Sequence, residues 1–265
     1  MTGLNDTNAS KLLLDPAEPP PFEIINAEGL SNTVLLCDHA SNLVPRQLGN
    51  LGLESKQLTE HIAWDPGAAR IARGLSARLD APLVLSGYSR LVIDCNRSPS
   101  SAESIPEQSA DVSIPGNQGI GQEERDRRRR ELSEPYHLAI SKLLDDRSQR
   151  NTLLLSIHSF TPVLDGRLRP WPVGVCYGND PRLARLMLKA LAGSVDDEVG
   201  DNQPYAIEDT IDYTIPFHGE RRGLPSVMIE IRQDQIRTVA ETAVWETKLA
   251  DAWLHIATEA QSLHD

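Results

Sequence analysis

The chain is short of cysteine and of basic charge and has no long apolar run, and each shortage excludes something. Its three cysteines, Cys37, Cys95 and Cys176, lie far apart in 265 residues, each within an apolar run. No CxxC spacing occurs, which excludes a disulfide framework and a thiolate zinc knuckle and fits free buried thiols in a reducing cytoplasm. Lysine and arginine number 26 against 38 aspartates and glutamates, a formal net charge of −12. That balance supplies no basic footprint for nucleic acid or an anionic membrane surface. No apolar run approaches the ~18 residues of a membrane span. The opening MTGLNDTNASKLLLDPAEPPPF has no basic start followed by a long apolar core, so no signal peptide is expected. Residues 1–22 read instead as a polar, flexible leader ahead of a single domain, 23–265. Also missing are GxSxG, a GxGxxG after a strand, a Walker loop and HExxH. Their absence removes the usual serine hydrolases, dinucleotide enzymes and helix-based zinc proteases.

What is present is an ordinary globular composition, 40% hydrophobic and 24% charged. A chain this long buries roughly 70% or more of its unfolded surface and needs no metal merely to fold. Short apolar, β-branched runs predict strands at Thr33–Cys37, Leu83–Ser86, Leu91–Asp94, Leu153–Ile157, Val173–Tyr177 and Ser226–Ile231. Several are apolar throughout, the pattern of a sheet covered on both faces. Apolar spacing of three and four predicts helices over Pro66–Leu79, Gln122–Arg147 with a break at Pro135, Pro181–Ala192, and Gln235 to Leu263. Their alternation predicts an α/β fold, a three-layer α/β/α sandwich around a mostly parallel or mixed sheet. Ser98–Gln122, rich in Ser, Pro and Gly, is a loop of a length that is usually functional or disordered. Gly193–Asp212 carries seven acidic residues and no Lys or Arg. Arg127–Arg130 looks basic in isolation, but Gly121–Arg150 holds eight basic and seven acidic residues, a solvated helix face of mixed charge.

Titratable residues interrupt the buried strands in three places. His39 follows TVLLCD, His158 follows LLLSI, and Glu230 lies inside SVMIEI. Ligands of open α/β sheets bind beyond the carboxyl ends of parallel strands, so histidines at two such ends can converge. Imidazole is the commonest metal ligand, and a catalytic zinc takes three protein ligands plus water. Each histidine alone also reads as a hydrogen-bonded core or loop residue. Glu230 is either a partner of Arg232, two residues on along the same face, or a general base tuned by burial. Around the apolar LVI of YSRLVIDCNR, the residues Arg90, Asp94, Asn96 and Arg97 read as an anion clamp or as a turn with surface ion pairs. Asp65, directly before Pro66, has the position of a helix N-cap. His137, beside Tyr136, and His218, in PFHGERRG, are placed either to reach the site or to bond within loops.

In this order, the stretches CDHASNLVP, HIAWDPGAARIA, YSRLVIDCNRSP, SIHSF and SVMIEIRQD resemble the N-formylglutamate amidohydrolase family over roughly residues 33–235. The resemblance implies a phosphorylase/hydrolase-like fold related to zinc carboxypeptidases and aspartoacylases. It also implies metal-dependent hydrolysis of a small anionic N-acyl amino acid, N-formyl-L-glutamate being the family's named substrate. His39 and His158 match the histidines expected at the metal, Zn²⁺ or another divalent ion, and Glu230 the carboxylate expected to activate water. Arg97 takes the arginine role of the aspartoacylase-like DxNR segment, with Asn96 and Arg90 beside it. The related enzymes use HxxE for two ligands, whereas Asn42 stands three residues after His39. An amide is a poor zinc ligand, and because the resemblance includes the aspartate at Asp65 it implies Asp65 as the candidate third ligand ahead of Asn42. Ser98–Gln122, directly after Arg97, is placed to act as a lid. The expected protein is a cytoplasmic amidohydrolase; a deacylase or small-peptide hydrolase of other specificity, or a non-catalytic anion-binding protein, would share these features. The sequence assigns no oligomeric state.

Overall fold

The computed structural model describes residues 12–195 and 198–264. Seven strands form one sheet: β1 (Phe22–Ile25), β2 (Thr33–Cys37), β3 (Leu83–Ser86), β4 (Leu153–Phe160), β5 (Val173–Cys176), β6 (Gly200–Asp201) and β7 (Ser226–Arg232). They lie in the order β1-β3-β2-β4-β7-β5-β6. The inner strands β3, β2, β4 and β7 are mutually parallel, while β1 and β5 join antiparallel to their inner neighbours, so the sheet is mixed. The helices are α1 (Ala68–Leu79), α2 (Gln122–Arg128), α3 (Glu134–Asp146), α4 (Arg182–Ala192) and α5 (Val239–Gln261).

Alternation along the strands divides the core into two layers. Leu35, Leu155 and Ile229 point to one face and pack with Ile71 and Leu75 of α1, Met187 of α4 and Trp253 of α5. Leu36, Leu154 and Met228 point to the other and pack with Tyr136 and Ile140 of α3. Both faces are covered, which is why the strands read as continuous apolar runs. The α5 helix begins with a capping box between Thr238 and Glu241, and its Trp253 donates from Nε1 to Thr33 Oγ1 at 2.8 Å, tying the helix to the start of β2. No helix among the described residues is long and apolar enough to cross a membrane.

The expected elements differ from the structure at four places. Leu91–Asp94 is a turn, not a strand: Val92 N–H bonds Ser89 O, and Leu91, Val92 and Ile93 fill a third apolar cluster with Leu51, Ile105 and Ile114. The apolar run was satisfied by a satellite core rather than by the sheet. Pro135 does not break the helical segment: α2 runs without a gap through a π turn at Arg129–Ser133 into α3, and this wider turn directly ahead of Pro135 accommodates a residue that has no N–H to give. Packing starts ahead of residue 22: Leu13 is fully buried, its N–H bonds Glu131 Oε2, and Phe22 opens β1. Residues 1–11 of the expected leader lie outside the described residues.

Arg128 is the fourth difference. It is only 1% exposed, not part of a solvated face. Its Nη1 donates to Val92 O and Asn117 Oδ1, its Nη2 to Gly116 O, and its Nε to Glu124 Oε1. Asn117 in turn donates to the carbonyls of Leu91 and Pro106, so one arginine and one amide fasten residues 98–122 onto the Leu91 turn. Arg128→Met keeps the apolar stem but strands buried carbonyls. It should destabilise the protein by about 3 kcal/mol in urea unfolding; a loss under about 1 kcal/mol would show the loop is held otherwise.

Candidate active site

Three inner strands deliver the site at their carboxyl ends. β2 stops at Cys37 and hands on Asp38 and His39. His158 lies near the end of β4, and Glu230 of β7 pairs with it in register. Because Val227, Ile229 and Ile231 belong to the α1/α4/α5 layer, Glu230 turns to the opposite face with Met228. Asp65 comes from the loop ahead of α1, and its N–H bonds His39 O at 3.0 Å.

Asp65 is not a helix cap. Gly67 takes the N-cap position of α1 with φ +86, a conformation that L side chains rarely adopt, so the Asp65 carboxylate is released to the site. Its Oδ2 lies 2.9 Å from His158 Nδ1 and 3.3 Å from His39 Nδ1. One ligand atom from each of His39, Asp65 and His158 falls within 4.8 Å of the others, all three side chains being buried. The far nitrogens are held as well. His39 Nε2 lies 2.7 Å from Asp94 Oδ1, and His158 Nε2 lies 3.0 Å from Asp38 Oδ2. Each imidazole therefore offers Nδ1 to a common point while a carboxylate behind it fixes the ring, the arrangement that metal-ligating histidines adopt. Two nitrogens and a carboxylate oxygen match the donor set of a catalytic zinc site.

Electrostatics make the same demand. Burial opposes the charge of Asp38, Asp65 and Asp94, but the histidines, and for Asp94 first Arg90, outweigh it and hold all three well below the usual carboxylate range. Facing these three carboxylates are two imidazoles and one guanidinium, that of Arg90. With neutral imidazoles the buried cluster is two positive charges short. Either two protons or one divalent cation completes it. Burial pulls both imidazoles down, yet their carboxylate partners hold His39 above the ordinary 6.5 and His158 well above it.

Glu230 does not pair with Arg232. That arginine bonds Asp234 and the carbonyls of Arg169 and Pro170. Glu230 Oε2 is buried with no hydrogen-bond partner among the described residues, and burial pushes its carboxyl up to about 7, against the pull of His158. Arg90 donates from Nε and Nη2 to Asp94 Oδ2, with Nη1 3.6 Å from Asp65 Oδ1. Arg97 Nη1 donates to Asp212 Oδ1 and Asn96 O, and Asn96 Nδ2 also reaches Asp212. Arg90, Asn96, Arg97 and Asp212 line one cavity of about 250 Å³ together with His39, Asp65, His158 and Glu230.

Other expected residues fall elsewhere. Asn42 donates to Leu58 O and does not line the cavity. His137 Nδ1 lies 3.0 Å from His218 Nε2, and burial pushes this stacked pair down to about 4 and about 3. Neither lines the 250 Å³ cavity; His137 borders a separate, larger one of about 900 Å³ that holds none of the converging site residues. The segment expected as a lid does not cover the site: Ile105 and Ile114 are core residues, and the cavity is bordered instead by residues 159–164 and 205–212.

Asp38 was not foreseen. Its carboxylate receives Tyr136 Oη, Thr214 Oγ1 and Ser156 Oγ as well as His158, an acceptor with four partners beneath the site. Its one sequence signal was its place beside His39, where the strand-end alternation puts neighbours to different uses. Asp212 sits in the acidic segment Gly193–Asp212, where nothing distinguished it from the other six acids.

Comparison with known proteins gives the fold and the family of the chain. A gene product from Agrobacterium tumefaciens of known structure is 38% identical, with a TM-score of 0.89 over 96% of this chain and 100% of that one. An N-formylglutamate amidohydrolase from Ralstonia eutropha JMP134 is 18% identical and shares the fold, with a TM-score of 0.71 over 92% and 99% of the two chains. No curated protein matches the chain. The family model for N-formylglutamate amidohydrolase matches residues 31–237, a span that holds His39, Asp65, Arg97, His158 and Glu230, and the chain belongs to that family.

Proposed function

We propose that this amidohydrolase is metal-dependent and cleaves a small N-acyl amino acid, with N-formyl-L-glutamate as the reference substrate, to the free amino acid and formate. The observation that carries this reading is the convergence of His39 Nδ1, His158 Nδ1 and Asp65 Oδ2 beside an unpartnered buried Glu230. A divalent cation such as Zn²⁺, when held there, polarises the scissile carbonyl and lowers the pKa of water. Asp94 and Asp38 accept from the two Nε2–H groups and so keep both Nδ1 lone pairs aimed inward. Glu230 takes the proton of the attacking water and returns it to the leaving amine, and a carboxyl near 7 is matched to both transfers. Arg90 is committed to Asp94 and Asp65, so it braces the ligand carboxylate of Asp65 and the carboxylate that fixes His39. Arg97, engaged through Nη1, is the cation that receives the amino acid's carboxylate and sets the acyl carbon against the water. Formate release from N-formyl amino acids by the zinc-loaded protein tests the reading directly.

Arg97→Ala should raise KM by at least about tenfold with a smaller change in kcat, since the contact serves substrate in both ground and transition states. An unchanged KM would remove the arginine from the binding site.

The folded pKa values of His39 and His158 lie above 6.5, so without a cation their protonation stabilises the fold below that pH. This stability is lost as pH rises through the folded values, whereas cation binding needs neutral imidazoles and strengthens over the same range. Chelator-treated protein should therefore lose Tm as pH rises above about 6.5, and its gap to zinc-loaded protein should widen. A gap that stays constant over this range would contradict the shared use of these histidines.

A further inference from the structure

The cavity has a charged floor and an apolar rim, and the two ask for different parts of a substrate. Phe160, Leu164, Tyr205, Ile211 and Met228 line it beside the titratable residues. Leu164, Tyr205 and Ile211 are 38%, 44% and 38% exposed, so three large apolar side chains from two separate segments gather, incompletely covered, at one opening. Exposed apolar groups collected around a polar pocket mark a binding surface rather than ordinary surface scatter.

The cations facing the cavity are already allocated. Arg90 is bound by two carboxylates, and Arg97 shares itself with Asp212, leaving room for one ligand carboxylate. His61 also lines the cavity, but burial pulls its imidazole below the usual range. Arg169 lies behind the rim, buried, with Nη2 on Tyr205 Oη at 2.8 Å and its guanidinium over the Phe160 and Tyr205 rings. It fastens the tyrosine and does not line the cavity. A glutamyl substrate brings two carboxylates. Once Arg97 holds the first, the second finds no further uncommitted guanidinium among the described lining residues, which include apolar side chains, the acids Asp212 and Glu230, and neutral groups such as Thr161 and Gln233.

Resting on the hydrolysis proposed above, we infer that the preferred substrate is an N-acyl amino acid with one carboxylate and an apolar side chain, seated against Leu164, Tyr205 and Ile211. The family's dicarboxylate substrate is the poorer fit to this chain.

The experiment compares N-formyl-L-leucine with N-formyl-L-glutamate on the zinc-loaded full chain by formate release, and on zinc-loaded Glu230→Gln protein by calorimetric binding. The expected result is at least a tenfold preference for the leucine compound in both kcat/KM and Kd. Turnover of both at equal rates, or faster turnover of the glutamate compound, overturns the preference while leaving the hydrolysis standing. Absence of formate from both, with the leucine compound still bound at least tenfold more tightly, removes the reaction but supports the cavity's preference. Binding of neither compound overturns it. Ile211→Arg, a change at an exposed rim position, should shift the preference at least tenfold toward glutamate; an unchanged ratio also overturns the inference.

Discussion

Replacing Glu230 by glutamine should lower formate release by about a thousandfold while the protein keeps about one divalent cation per chain. The reasoning starts from the strand. Its flanking residues Ile229 and Ile231 are locked into the core on the side of α1, α4 and α5, so the backbone register leaves Glu230 no choice of face. It is opposite His158, buried, and its Oε2 has no partner among the described residues, an expensive arrangement for a residue with only a structural duty. Glutamine preserves volume and packing, but it neither accepts a proton from water nor delivers one to an amine. Loss of rate with unchanged metal content and unchanged urea midpoint separates chemistry from folding. Near-full turnover in Glu230→Gln would show that another group handles the proton.

His158→Ala should abolish cation binding and turnover together, and cost stability as well. This imidazole stands between Asp65 on its Nδ1 side and Asp38 on its Nε2 side. Removing it leaves buried Asp38 without its main counter-charge and Asp65 with only His39 and Arg90, at a cost of about 3–5 kcal/mol. Asp38→Asn is the milder companion: the ring remains, but the acceptor that fixes its tautomer becomes an amide, and cation affinity should fall about 10–100-fold. Elemental analysis and urea melts read both variants. A His158→Ala protein that retains its cation would place the metal elsewhere.

The layered α/β architecture was legible because both faces of the inner strands are covered, and runs such as TVLLC and LLLSI record that directly. The same logic misread LVID, since an apolar run reports burial and not hydrogen-bonding geometry, and here a satellite cluster does the burying. The edge strand β1 escaped notice because FEII is only partly buried and carries no such signature. At the site, His39 and His158 stood out by breaking apolar runs at strand ends, and the structure brings them together with Asp65 and Glu230 in one cavity. Asp65 had a competing local explanation, N-capping, that only the position of Gly67 removed. Asp38 and Asp212 depend on contacts across more than a hundred residues, to His158 and to Arg97, and no local pattern encodes such partners.

The acidic balance of the chain also takes on a different meaning at the site. Much of it lies on the surface, but Asp38, Asp65 and Asp94 are buried around two histidines, where their charge is an invitation to a cation and not a solubility device. Arg97, proposed above to receive the substrate carboxylate, therefore lines a cavity whose net sign depends on what fills the centre.

The most direct test is to measure metal content and formate release together on protein purified without chelator. The account predicts about one divalent cation per chain, activity lost on chelation and restored by Zn²⁺, and both properties missing from His158→Ala. Full hydrolytic activity in protein containing no divalent cation would contradict it.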